Sequence, residues 1–285
     1  VGMLAALAAA EPVVQQTFDE ASGVLGYDLW SLCQQGPEGD LGATERTQPA
    51  MLAAGVATWR VWLQHGGPMP VAMAGHSLGE YTALVCSQAV DFRTAVELVR
   101  FRGQAMQRAV PLGEGAMAAV LGLDDAELAA ACREAAQGQV VEPVNFNAPG
   151  QVVIAGHAAA VARAIEAAKA RGAKRAMALP VSVPSHSSLM TGAADQLAER
   201  LVTIDLRMPD VPAVYTVDVQ KHQSPDGIRR ALREQLFKPV RWADTVRAML
   251  ASGVTTLVEC GPGKVRTSLG KRMEPGWILN PDPSW

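Results

Sequence analysis

An α/β architecture with a smaller α+β unit inserted in it is the fold class this 285-residue sequence predicts. Three observations lead there. The apolar run 71–74 passes through Gly75-His76-Ser77-Leu78-Gly79 directly into a helix-permissive segment, the context in which a serine is held on a tight strand-to-helix turn. Between residues 112 and 180 the elements follow the order strand-helix-strand-strand-helix-strand, that of a ferredoxin-like unit. Strand and helix patterns then resume, so 112–180 reads as a subdomain interrupting a larger domain made of 1–111 and 181–285.

The elements follow in chain order. The apolar opening, residues 1–10, has no basic leader and reads as part of an amphipathic helix reaching about residue 20. Residues 48–63 place Met51, Leu52, Val56, Trp59 and Leu63 at helical spacing, and His65-Gly66-Gly67-Pro68 ends that helix. The strand 71–74 and the serine turn come next, where side chains at Gly75 or Gly79 are expected to collide as the chain folds back. Asp91 is placed to cap a helix running to about residue 109, with Ala95, Leu98, Val99, Ala105, Met106 and Ala109 on its apolar stripe. Inside the insertion, strands are expected at 115–123, 139–147, 151–155 and 175–179, with helices at 124–137 and 157–171. Two prolines, Pro180 and Pro184, stiffen the loop that presents His186 ahead of a helix at about 189–201. A strand at 211–217, a helix at 226–236 and a strand at 255–259 complete the pattern.

Composition excludes several classes. With 49% hydrophobic residues the chain can bury a large core, and a net charge of −3 argues against nucleic-acid binding. Cys33, Cys86, Cys132 and Cys260 are far apart, which fits a reduced, cytoplasmic setting and offers neither a disulfide scaffold nor a metal site. No apolar run is long enough to span a bilayer.

The chemistry centres on Ser77. A serine hydroxyl needs a base within hydrogen-bond reach, and the following helix directs free N–H groups to where an oxyanion would form. Of the five histidines, His186 is the best base because its loop is rigid and built of small residues. His76 adjoins Ser77, but neighbours on such a turn point apart, so it reads as a packing or hydrogen-bonding residue. His222 with Asp218 leaves a Ser-Asp-His hydrolase open. Arg102 falls in the middle of an apolar stripe, which is costly unless the guanidinium meets an anion. Spacing leaves two anions open, an internal carboxylate or a substrate carboxylate.

The segments Gly75-His-Ser-Leu-Gly-Glu80, Arg102, Asn145-Phe-Asn147, Gln151-Val-Val-Ile-Ala-Gly156, Val183-Pro-Ser-His186 and Gln235-Leu-Phe-Lys-Pro-Val-Arg-Trp242 occur together in this order. In them the chain resembles the malonyl-CoA:acyl carrier protein transacylases, from residue 1 to about 272. The resemblance implies an α/β-hydrolase-like large domain, a ferredoxin-like small domain and an active site between them. It casts Ser77 as acyl-accepting nucleophile, His186 as base, Gln235 as the residue orienting His186 through a carbonyl oxygen, and the Leu78 N–H as an oxyanion donor. Arg102 would bind the malonyl carboxylate, with His76 and Asn147 shaping the substrate site. Malonyl-CoA and acyl carrier protein would be the partners of a monomer needing no cofactor or metal, and Lys174, Arg175, Lys238 and Arg241 the carrier-docking surface. The family begins with a strand and a Gly-Gln-Gly-Ser-Gln motif, which predicts that the natural N-terminus is missing from this sequence. Lack of an oxyanion donor from that motif would cost about 10²–10³ in rate. A serine esterase or thioesterase, a catalytically dead carrier-binding module and an acyltransferase serving a polyketide synthase are the alternatives.

Overall fold

The computed structural model describes residues 1–181 and 183–263 in full and residues 278–280 as backbone. The N-terminal third is helical. The single helix expected over the first 20 residues is instead two, α1 (Ala5–Ala10) and α2 (Pro12–Leu25), because Pro12 cannot continue α1 and starts a new helix at its first position. Two short helices that the apolar periodicity did not reveal follow, α3 (Leu29–Gln35) and α4 (Glu38–Gly42). The long helix α5 (Thr44–Gln64) starts four residues earlier than expected and buries Gln48, Leu52, Val56 and Trp59, whereas Met51 and Leu63 are exposed.

Strand β1 (Met73–Ala74) leads through the serine turn into α6 (Gly79–Cys86). Asp91 caps α7 (Phe92–Ala109) as expected, accepting from the N–H groups of Arg93 and Thr94 at 3.0 Å each. On α7, Gly103 brings the helix against the start of α5, since a Cβ there would lie 2.7 Å from Glu45 Cα and Thr44 O. This close crossing sets Gln48 of α5 beside Arg102 of α7.

The insertion follows the expected order: β2 (Gly115–Leu121), α8 (Asp125–Ala136), β3 (Val141–Ala148), β4 (Gln151–His157), α9 (Ala158–Ala170) and β5 (Arg175–Ala178). Its four strands form one sheet in the order β3-β4-β2-β5 with every pair antiparallel, and both helices cover one core built around Ile154, Leu128 and Val161.

The chain then passes through a 3-10 turn, Ser188–Met190, into α10 (Thr191–Val202). The expected strand 211–217 shrinks to β6 (Ala213–Val214), because Tyr215 turns back to pair with Gln220. β6 lies parallel to β1. Helices α11 (Pro225–Gln235) and α12 (Trp242–Ala251) and strand β7 (Thr256–Val258) follow, with β7 parallel to β8 (Ile278–Asn280). Between α11 and α12, Val240 pairs in parallel with Asn145, extending the four-stranded sheet beyond β3 and tying the two parts of the chain together. No helix among the described residues is long and apolar enough to cross a membrane.

Candidate active site

The serine turn is held by backbone geometry. Ser77 sits at φ 54°, in the left-handed region that costs a non-glycine residue energy and so must be held by its surroundings. Gly75 is indispensable to it, since a Cβ there would stand 1.8 Å from the Gly79 carbonyl carbon. The matching expectation for Gly79 fails: a Cβ there meets nothing within 4 Å, and the residue lines the open cavity over the site. The Leu78 N–H precedes α6 and makes no hydrogen bond within the protein among the described residues, so it remains available to an oxyanion.

His186 is also at positive φ, 67°, and its N–H donates to Leu236 O at 3.0 Å. Its ring is fully anchored. Nδ1 donates to the Gln235 backbone carbonyl at 2.6 Å, which leaves the Nε2 lone pair facing the Ser77 hydroxyl at 2.9 Å. Burial above all, aided by the nearby Arg102 charge, lowers the imidazole pKa to about 4, against the raising effect of the Gln235 carbonyl. His186 is therefore neutral and able to accept a proton at physiological pH.

Arg102 is 1% exposed. It donates to Gln48 Oε1 at 2.8 Å, Gln235 Oε1 at 3.0 Å and Ser77 Oγ at 3.2 Å, and its carbon Cζ lies 5.4 Å from the Tyr81 ring centre. No carboxylate among the described residues is within ion-pair distance, and Nε is buried without a partner. The internal salt bridge that spacing left open is thus not formed. A guanidinium held in this way, by neutral acceptors only, is prepared for an anion from outside.

The remaining predicted residues fall close by. Gln235 has a double role: its backbone carbonyl orients His186, and its side chain bridges Arg102 and the Ser77 carbonyl, to which Nε2 donates at 3.0 Å. His76 points away from the nucleophile, as expected, and its Nε2 meets Asn147 Oδ1 of β3 at 2.8 Å. A cavity of about 580 Å³ opens over the site, lined among others by Gln48, His76, Ser77, Arg102 and Trp242.

One expectation fails. His222 does not reach Ser77; its Nε2 is 3.1 Å from Asp218 without hydrogen-bond alignment, and its ring packs on Tyr215. The base position is occupied by His186, so the Ser77-Asp218-His222 arrangement is not formed. Of the four cations expected at a docking surface, Lys174 and Arg175 stand at the β5 edge, and Lys238 and Arg241 flank Val240 beyond β3. Four strand spacings, roughly 19 Å, separate the two pairs. Sequence reasoning also missed Gln48 and Glu80. A polar residue on the apolar face of α5 was the available signal for Gln48, and a carboxylate directly after Gly79 for Glu80.

Known proteins resemble this chain over nearly its full length. Residues 1–272 match the family model described as the acyl transferase domain. The chain belongs to this family. It is 60% identical over 273 residues to the malonyl CoA-acyl carrier protein transacylase of Escherichia coli (strain K12), covering 96% of this chain and 88% of that protein. The Bacillus subtilis (strain 168) protein of the same name is 42% identical over 274 residues, covering 96% and 86%. Among solved structures, the malonyl CoA-acyl carrier protein transacylase of Coxiella burnetii superposes with a TM-score of 0.96 at 50% identity, covering 98% of this chain and 88% of that one. A malonyl-transacylase solved in complex with a type II PKS acyl-carrier protein gives a TM-score of 0.96 at 57% identity, covering 98% and 90%.

Proposed function

We propose that this chain transfers the malonyl group of malonyl-CoA to the phosphopantetheine thiol of acyl carrier protein through a malonyl-serine ester. The observation that carries the reading is the joint geometry of Ser77, a neutral His186 at 2.9 Å and a buried Arg102 without a carboxylate partner. In the first half-reaction His186 Nε2 takes the Ser77 proton as Oγ attacks the thioester carbon. The tetrahedral oxyanion is held by the Leu78 N–H, and its collapse breaks the C–S bond, the proton passing from His186 to the coenzyme A sulfur. In the second half the carrier thiol gives its proton to His186, attacks the ester, and Ser77 is regenerated. Arg102 takes the free malonyl carboxylate as a fork, while Gln235 holds His186 and Arg102 in register. His76 and Asn147 form the wall against the small sheet.

On this reading the sheet β3-β4-β2-β5 with α8 and α9 is a ferredoxin-like subdomain spanning 112–180, and the remainder, 1–111 and 181–285, an α/β-hydrolase-like domain. The enzyme works as a cytoplasmic monomer and needs no cofactor, since ester and thioester exchange needs none. A polyketide carrier is the alternative to a fatty-acid one, since one neighbour 57% identical to this chain was solved in complex with a type II PKS acyl-carrier protein.

Intact-protein mass spectrometry tests the proposal. Malonyl-CoA should add one malonyl group to the wild-type chain and none to Ser77→Ala, and carrier protein should remove it. Loss of the adduct to water instead points to a hydrolase, and no adduct on a folded chain to a binding module.

A further inference from the structure

Glu80 is the ionisable group of the site that the scheme above leaves unused. It stands three residues after the nucleophile, on α6, and is 2% exposed. Its Oε1 accepts from the Thr216 N–H and the Thr216 hydroxyl, both at 2.7 Å, while Oε2 is buried without a partner. The groups facing it come from each neighbouring element: Arg102 of α7, the Gln235 amide of α11, Tyr215 and Thr216 after β6, and Tyr81 on its own helix. Helix α5 meets α6 through Gly55 against Thr82, and β1 contributes Met73 and Ala74, so neither adds a charge. Arg102 is the cation of this set, beyond ion-pair distance but close enough to act on the carboxyl.

We propose that Glu80 is the resting countercharge of Arg102 and takes up a proton from solvent when the malonyl carboxylate arrives. The inference rests on the malonyl-transfer reading above. Before acylation the guanidinium has one carboxyl group in its surroundings, beyond ion-pair distance and partly ionised near neutrality. After it, one guanidinium would face two carboxylates in a site largely closed to water, which is costly. The malonyl carboxylate has the better claim on Arg102, because the fork reaches it directly, whereas Glu80 is held back by Thr216. The second negative charge therefore raises the proton affinity of Glu80. Burial already brings the Glu80 pKa up to about 7, against the opposing pull of Thr216, Gln235 and Arg102, so protonation near neutrality requires little further change.

The proton balance is simple. The Ser77 proton leaves on the coenzyme A sulfur, a thiol that stays mostly protonated at pH 7.5 if it resembles cysteine, with a pKa of about 8.5. Any net uptake therefore reports on the protein. Glu80 gains a proton only where it is ionised in the free chain and protonated in the acylated one. Uptake is thus greatest above pH 7 and vanishes by about pH 5.5, where the carboxyl is protonated in both states.

Stopped-flow mixing with a pH indicator in weak buffer measures this directly, with Ser77 labelling read in parallel by intact mass. For the wild-type chain and malonyl-CoA at pH 7.5 we expect roughly half to one proton taken up per malonyl-serine formed, and almost none at pH 5.5. The KM for malonyl-CoA should rise above pH 7 by up to about tenfold per pH unit, and both effects should be absent from Glu80→Gln. Thr216→Val removes one hydrogen bond from the carboxylate, so the onset of uptake should move to higher pH; uptake with an unmoved onset overturns the assignment to Glu80. Wild-type labelling without uptake overturns the inference and leaves the transferase standing. Absence of wild-type labelling overturns both. Should Glu80→Gln fail to fold, wild-type uptake and the Thr216→Val onset decide the matter.

Discussion

Replacing Arg102 by alanine separates malonyl recognition from the acyl-transfer chemistry. The guanidinium makes hydrogen bonds to Gln48, Gln235 and Ser77 and no ion pair with a described residue. A malonyl carboxylate would take two charge-assisted bonds from it, each worth about 1.5–3 kcal/mol. Water entering the vacated space recovers part of that, leaving a loss of about 3 kcal/mol, or some two orders of magnitude in kcat/KM. Acetyl transfer forfeits only the bond to Ser77 Oγ, about 1 kcal/mol and less than tenfold. The ratio of kcat/KM for malonyl-CoA over acetyl-CoA, with transfer to carrier protein as the assay, should therefore fall by roughly 10²-fold. Thermal unfolding run beside it should show a folded variant, because the lost bonds to Gln48 and Gln235 are offset by removal of a buried charge. An unchanged ratio in a folded Arg102→Ala chain refutes the role given to the guanidinium.

Four more outcomes follow from the same geometry. With the His186 pKa lowered to about 4, the acid limb of malonyl-serine formation should lie near pH 4; a limb at about 6.5, the ordinary value, contradicts the buried neutral base. Because that pKa is depressed in the folded state, its stabilising contribution is present above about pH 6.5 and lost as pH falls towards 4, by roughly 3 kcal/mol, measurable as a falling denaturant midpoint. Gly75→Ala should abolish folding or Ser77 labelling, whereas Gly79→Ala should fold and be labelled, as mass spectrometry on the two variants would show. Gln235→Glu should supply Arg102 with the missing ion-pair partner and so lower malonyl-CoA kcat/KM at least tenfold more than acetyl-CoA kcat/KM; equal losses would count against a guanidinium kept free for substrate.

The elements that local chemistry dictates were readable from the sequence. Asp91 and Asp124 cap their helices as their side chains allow, and the order of strands and helices in 112–180 is as expected. Where tertiary pairing decides, reading fell short. The expected strand 211–217 contains apolar residues enough for a full strand, yet only Ala213 and Val214 pair with β1, because Tyr215 turns back towards Gln220. At the site, Ser77, His186 and Arg102 announce themselves through a turn motif, a stiff loop and a charge on an apolar stripe. Gln48 and Glu80 lack such marks. Their roles arise from the crossing of α5 over α7 at Gly103 and from the approach of Thr216 to α6, contacts between segments distant in the chain.

The neutrality of the group behind His186 follows from the presence of Arg102. A catalytic histidine beside serine is commonly oriented by a carboxylate, which also stabilises the imidazolium formed during attack. Here the acceptor is the Gln235 backbone carbonyl, and the side chain of the same residue donates to Ser77 O and accepts from Arg102. A carboxylate side chain at this position would sit within hydrogen-bond distance of the guanidinium and form a buried ion pair. The substrate carboxylate would then have to displace a partner already in place, and the free energy of malonyl recognition would be spent on breaking that pair. The backbone carbonyl orients the imidazole without charge, so the price is a less stabilised imidazolium. Arg102 adds to that cost by lowering the His186 pKa. A poorer base is tolerable where the leaving group is a thiolate, since the thioester carbon is already reactive and the departing sulfur needs little assistance. The geometry thus gives up base strength for a cation held ready for the substrate, a trade suited to thioester exchange and poorly suited to amide cleavage.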